Sequence, residues 1–144
     1  MRRETLLEFT GVELRSAAAE DAVALVEERL GQSLPQSLRS LLEVSDGISA
    51  DYGVEIVWSA ARILAENISL RHNEQLCSLY MPFDPLLFFG DNGGGDQFAL
   101  VRTPERDDVF VWDHETDSRN WISPSLDSFL RSSLGGGSDD WYRR

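Results

Sequence analysis

Residues 88–101 read FFGDNGGGDQFALV, and this stretch decides the fold. A short apolar run, Leu86 to Phe89, stops at Gly90, and a second begins at Phe98 and ends at Val101. Runs this short, apolar throughout and bounded by turn residues, predict buried strands. Between them stand Asp91, Asn92, the three glycines Gly93, Gly94 and Gly95, and Asp96. Glycine tolerates positive φ, so the chain can reverse here. The expectation is a β-hairpin on a small sheet, its acidic, glycine-rich tip facing solvent.

Downstream, Val109 to Trp112 predict the next strand, Asp113 to Ser118 a polar turn, and Asn120 to Ile122 a returning strand. Ser123 and Pro124 signal a closing helix, with Leu126, Phe129, Leu130 and Leu134 as its apolar stripe. Upstream, Ser16 is placed to cap a helix over 17–30, with Ala19, Val23, Val26 and Leu30 on one face and Gly31 as its stop. Pro35 opens a second helix through Leu38, Leu41 and Leu42, and the short link predicts that the two pack as a pair. Tyr52 to Trp58 predict a strand, Ser59 caps a middle helix over 60–70, and 72–84 reads as irregular. No internal repeat is visible. Strands gathered in the second half with helices at both ends predict an α+β fold. Its small, mostly antiparallel central sheet is packed by two N-terminal helices, a middle helix and a C-terminal helix. Residues 1–134 make the expected single domain and 135–144 a glycine-rich tail, whose Trp141 and Tyr142 are expected to fray rather than fold back.

The chain has 144 residues, 42% of them hydrophobic, and a formal net charge of -12. That charge disfavours nucleic acid and anionic membrane surfaces as partners. It suits a basic protein partner, and it equally suits mere solubility. Every basic side chain is arginine, so a Schiff-base lysine and a phosphate-binding loop lysine are excluded. Cys77 is the sole cysteine, which removes an internal disulfide and a cysteine-based zinc site. Glu4, Glu8 and Glu13 interrupt any signal-like apolar run, and the apolar runs are too short to span a bilayer. A cytoplasmic protein is expected.

The candidate chemistry is thin. Asp91 and Asp96 around flexible glycines offer oxygen ligands, but the EF-hand and nonapeptide calcium spacings are absent, and a structural turn is the simpler reading. His114 among Asp113, Glu115 and Asp117 imitates a general base or metal corner, yet reads more simply as a polar turn. No G-x-S-x-G elbow or H-E-x-x-H motif occurs. Cys77 is expected to be buried and inert. Trp112 is expected inside, and Trp121 is the candidate exposed anchor. The acids from Gly90 to Asp117 are Asp91, Asp96, Glu105, Asp107, Asp108, Asp113, Glu115 and Asp117, opposed within that window by Arg102 and Arg106. The local charge is about -6. If the hairpin tips share a direction, they form a negative face fit to cover a basic cleft. The partner-binding candidates are Asp91, Asp96, Asp107, Asp108, Glu115, Asp117 and Trp121; no catalytic, cofactor-binding or metal residue is expected.

Four stretches carry a resemblance. LPQSLRSLLEVSDG (34–47) is an early helix opened by Leu-Pro and closed by a glycine turn. FFGDNGGGDQFAL (88–100) is a glycine-rich hairpin, VFVWDHETD (109–117) a strand and turn, and SLDSFLRSSL (125–134) a closing helix. In their order and spacing they resemble the SUKH superfamily, related to fungal cell-wall assembly regulators of the Smi/Knr type, over roughly 14–134, with 52–85 matching poorly. The resemblance implies an α+β fold with a small central sheet and no known catalysis. In bacteria it implies an immunity protein that binds and blocks a secreted toxin, commonly a nuclease. The expected function is therefore a non-enzymatic binding module, monomeric or weakly dimeric, that neutralises a basic toxin domain. The alternative is a regulatory or scaffolding domain with a protein or peptide partner. A third and weaker idea is a metal-dependent hydrolase using Asp91, Asp96 and His114.

Overall fold

A computed structural model describes residues 1–135 and 141–143. The chain runs α1 (Arg3–Leu7), β1 (Glu13–Leu14), α2 (Glu20–Leu30), α3 (Gln36–Val44), β2 (Ile48–Ser49), a 3-10 turn (Asp51–Gly53), β3 (Glu55–Val57), α4 (Ala60–His72) and α5 (Glu74–Leu79). It continues with β4 (Leu86–Asp91), β5 (Gln97–Arg102), β6 (Glu105–Asp113), β7 (Ser118–Ser123) and α6 (Leu126–Leu134). The class is α+β, as expected, but the strands form two antiparallel sheets, β1-β2-β3 and β4-β5-β6-β7.

The sheets meet where Trp58 N–H donates to Phe89 O at 2.7 Å. Gly90 is needed at this crossing: a Cβ there would overlap the carbonyl oxygen of Ile56 and lie 2.7 Å from its carbon. A second tie comes from Asn67, fully buried inside α4. Its amide donates to Ile63 O and Phe88 O, and its oxygen accepts from Phe88 N. A buried amide with all these bonds made fixes one helix register against one strand.

The expected hairpin forms, with Leu86 opposite Val101 and Asp91 opposite Gln97. Neighbouring side chains on β4 go to opposite faces, as strand geometry requires. Phe88 meets Phe83 and Trp112 edge-on, while Phe89 meets Phe98 and Phe129. The large sheet is thus buried on one side by the 80–83 segment and on the other by α6. Each fully buried aromatic here contributes on the order of 2–3 kcal/mol over its exposed state.

Several expectations are corrected. The first long helix starts at Glu20, because 16–18 is held extended against α3: Asp46 N donates to Ser16 O and Ala18 N to Leu42 O. Ser16 therefore caps nothing, although Gly31 (φ 66°) ends the helix as expected. That helix lies chiefly on α4 rather than pairing with α3, which it meets through the Glu27–Arg39 ion pair. The expected strand over 52–58 is shortened to β3, since 51–53 makes a turn with Tyr52 at φ 62°. The segment expected to be irregular contains α5, capped by Asn73 Oδ1 accepting from Gln75 N and Leu76 N. Ser125, not Ser123, caps the last helix. Cys77 is exposed rather than buried, on the outer side of this short helix.

The tail also departs from expectation. Residues 136–140 and 144 lie outside the described residues, so the expected glycine linker goes undescribed beyond Gly135. Trp141 and Tyr142 do not fray. They pack on the core, edge-on to one another, with Tyr142 against Phe98 and Trp141 against Phe129.

Candidate functional site

Antiparallel pairing sends the β4–β5 and β6–β7 turns to the same end of the large sheet, and four segments converge there. Gly93 lies under the methyls of Val54, two residues after Tyr52. Gly95, at φ 106°, faces the imidazole of His114, where a Cβ would stand 2.6 Å from Cε1. Tyr80 donates its hydroxyl to His114 O at 2.8 Å, and Met81 N donates to Asp117 Oδ2 at 3.0 Å. Arg119 completes the tie by donating to Met81 O and Pro82 O. The result is a continuous rim from Tyr52 across the glycine tip to Met81.

The rim is both apolar and acidic. Tyr52 is fully exposed, and Leu79 and Met81 are 74% and 59% exposed. A non-glycine residue at positive φ is strained by about 1 kcal/mol, and an aromatic one is rare. No core packing repays Tyr52 for that strain. Asp51, Asp113 and Glu115 form no ion pair among the described residues.

The candidates chosen from sequence divide between the two ends of the sheet. Asp91, Asp96, Glu115 and Asp117 reach the rim. Asp107 and Asp108 lie along β6 toward the other end, Asp108 being five residues, or about 17 Å, from Asp113, while Trp121 sits midway along β7 opposite Phe110. Trp121 is half-exposed, and its indole N–H donates to Asp108 Oδ2 at 2.7 Å.

Most of these acids are neutralised within the chain, which corrects the expected local charge. Asp91 accepts from Trp58 Nε1 at 2.7 Å and pairs with Arg62, whose guanidinium lies 4.8 Å from the Trp58 ring centre. Asp108 pairs with Arg106, and this bond, then the one from Trp121, holds its carboxyl below the usual range. For Asp117, burial pulls the pKa up, but bonds from Met81 N, Trp112 and Arg119 outweigh it and the net shift is downward.

Asp96 departs furthest from the expected solvent-facing tip. It is buried, and its Oδ2 accepts from Tyr142 Oη at 2.8 Å and pairs with Arg143. Burial, then the Asp96 contact, raises the Tyr142 phenol above its usual value. Arg143, Tyr142, Trp121 and Asp113 line a cleft of about 330 Å³ beside it.

The metal idea is redrawn by this geometry. Asp91 is occupied by Trp58 and Arg62, so the set Asp91, Asp96 and His114 does not assemble. Instead donor atoms of Asp96, Asp113 and His114 lie within 4.8 Å of one another. The Arg143 cation already sits on Asp96, so a metal ion would have to compete with it.

Sequence reasoning missed Tyr52, Leu79, Met81 and the roles of Arg62, Arg119 and Arg143. The tripeptide Asp51-Tyr52-Gly53 held a signal, since an aromatic between two turn formers has no strand neighbour to pack on.

Among the described residues, no helix is long and apolar enough to cross a membrane. No curated protein matches the chain. A family model described as "SMI1 / KNR4 family (SUKH-1)" matches residues 17–132, which span α2 through most of α6 and hold both hairpin turns of the rim. The chain belongs to the SMI1 / KNR4 family (SUKH-1).

Proposed function

We propose that this chain is a non-enzymatic binding module, an immunity protein that neutralises a cognate bacterial toxin by docking it on the rim. Tyr52 carries the reading: an exposed aromatic in a strained turn, beside a glycine-rich tip held by side-chain bonds. Exposed aromatics on rigid supports are the usual anchors of protein interfaces. Leu79 and Met81 add apolar area, and Asp51, Asp113 and Glu115 supply the uncompensated negative charge that steers a basic partner.

The partner surface is therefore mixed, with apolar ground beside basic side chains. This differs from a nucleic-acid mimic, which needs a dense array of free carboxylates. The ion pairs of Asp91, Asp96, Asp108 and Asp117 weigh against that form of inhibition. They leave room for the alternative of a regulatory domain that holds a peptide at the same rim. Co-expression separates the two. The chain should restore growth of cells producing the toxin encoded beside it, and the pair should co-purify at one to one. A chain that binds no product of a neighbouring gene and rescues no growth would leave the regulatory reading in possession.

A further inference from the structure

The three described residues after the glycine run do more than cover apolar surface. Trp141 packs on Phe129 and donates its indole N–H to Ser133 Oγ at 3.1 Å, so it is seated on α6. Tyr142 packs edge-on to Phe98 of β5 and donates its hydroxyl to Asp96 Oδ2. Arg143 places its guanidinium on the same oxygen. The side chain of Asp96 is 3% exposed, whereas that of Arg143 is 52% exposed. A buried carboxylate has thus obtained its compensating charge from the C-terminal segment. An unpaired carboxylate buried to this degree is unfavourable, so the tip and the segment depend on each other.

Asp96 is also the last residue of the glycine tip, and the network runs inward from it. Asn92 N donates to Asp96 O, while Asn92 Oδ1 accepts from Gly94 N at 2.8 Å and from Asp96 N at 3.1 Å. Asn92 Nδ2 reaches the Tyr142 hydroxyl at 3.0 Å. The amide that folds the tip therefore touches the tail directly. Three consecutive glycines have the largest conformational freedom to lose on ordering.

We infer that Trp141, Tyr142 and Arg143 form a latch that holds the glycine-rich tip in its docking shape, so that tail seating and partner binding at the rim strengthen each other. This rests on the binding reading above for its partner, though not for the latch itself. Asp96, Tyr142 and Arg143 are positioning residues: they act on the rim through Asn92 and need not touch the partner. Because linkage is reciprocal, whatever factor the latch adds to partner affinity, the partner adds to latch closure. Pre-ordering a loop raises affinity without adding a contact.

The test uses the full chain with Tyr142→Phe and Arg143→Gln combined, read by amide hydrogen exchange. The Gly94 and Asp96 amides should exchange at least about tenfold faster, a change equivalent to about 1.4 kcal/mol, while the Phe98 and Leu100 amides of β5 stay unchanged. Arg143→Lys keeps the charge without the guanidinium fork and should fall between the two. Equal acceleration along all of β5 would mean simple loss of packing and would overturn the latch. So would unchanged Gly94 and Asp96 exchange. The exchange arm needs no partner, so it stands or falls separately from the toxin reading. Where a toxin binds, the double variant should also bind it about tenfold more weakly, and equal affinity would refute the coupling.

Discussion

Replacing Gly90 by alanine tests the junction of the two sheets. The new Cβ would overlap the Ile56 carbonyl oxygen, lying 2.7 Å from its carbon and 3.4 Å from Val57 N. All three neighbours are backbone, so no side chain can rotate away. Carbon atoms come to rest about 3.5–4.0 Å apart, and the carbonyl oxygen is closer still to the new Cβ, so β3 has to withdraw by more than about 1 Å. The overpacking alone costs about 1–3 kcal/mol. Withdrawal also stretches the bond from Trp58 N to Phe89 O, now 2.7 Å, and losing it with both groups buried costs about 1–3 kcal/mol more. The combined loss is about 2–6 kcal/mol, a large share of the 5–15 kcal/mol typical of a domain. Urea denaturation measures it: with a slope of about 1–3 kcal/mol/M, the midpoint should fall by about 2 M. Gly94→Ala is the control. Its nearest neighbours are Asn92 side-chain atoms from 3.6 Å, an ordinary contact, and its effect should stay within about 0.5 kcal/mol. If Gly90→Ala proved as stable as Gly94→Ala, the close crossing of β3 over β4 would be refuted.

Other perturbations probe the side-chain ties. Asn67→Ala leaves the N–H and C=O of Phe88 without partners and should cost about 2–4 kcal/mol, with faster exchange of the Phe88 amide. Asp117 has a lowered pKa in the folded chain, so its stabilisation is present above about pH 4 and disappears as pH falls through the folded value. Asp117→Asn should therefore lose about 1–2 kcal/mol at neutral pH and show a shallower acid limb in a pH series of denaturation curves. Tyr142 has the opposite shift, upward, so its contribution is present below about pH 10 and lost as pH rises. An ultraviolet alkaline titration should show a late-ionising phenol that Tyr142→Phe removes.

The hairpin was legible in the sequence because its determinants are local: apolar runs of strand length, turn residues between them, and glycine where φ must be positive. The closing helix was legible for the same reason, through the Leu126, Phe129, Leu130 and Leu134 spacing. What the sequence hid is set by partners far away in the chain. Ser16 looks like a cap, but backbone bonds to Leu42 and Asp46 hold its neighbourhood extended. The charge count over 90–117 misled because Arg119 lies just outside that window, while Arg62 and Arg143 arrive from α4 and from the C-terminal segment. Asp96 reads as a tip residue because nothing near it announces that residues 46 and 47 positions later will cover it. The short α5 was lost to the neighbouring prolines, although Asn73 followed by Glu74 was a usable cap signal.

On the proposed function, this chain acts by holding a partly basic protein at the Tyr52–Met81 rim. Titration calorimetry of the full chain against the product of the neighbouring gene tests this most directly, with Tyr52→Ala and Glu115→Arg as paired variants. One-to-one binding is expected, weakened at least about 30-fold by Tyr52→Ala, the loss of a roughly 2 kcal/mol anchor. Glu115→Arg should bring a smaller, salt-sensitive loss. Binding untouched by both substitutions would contradict that function.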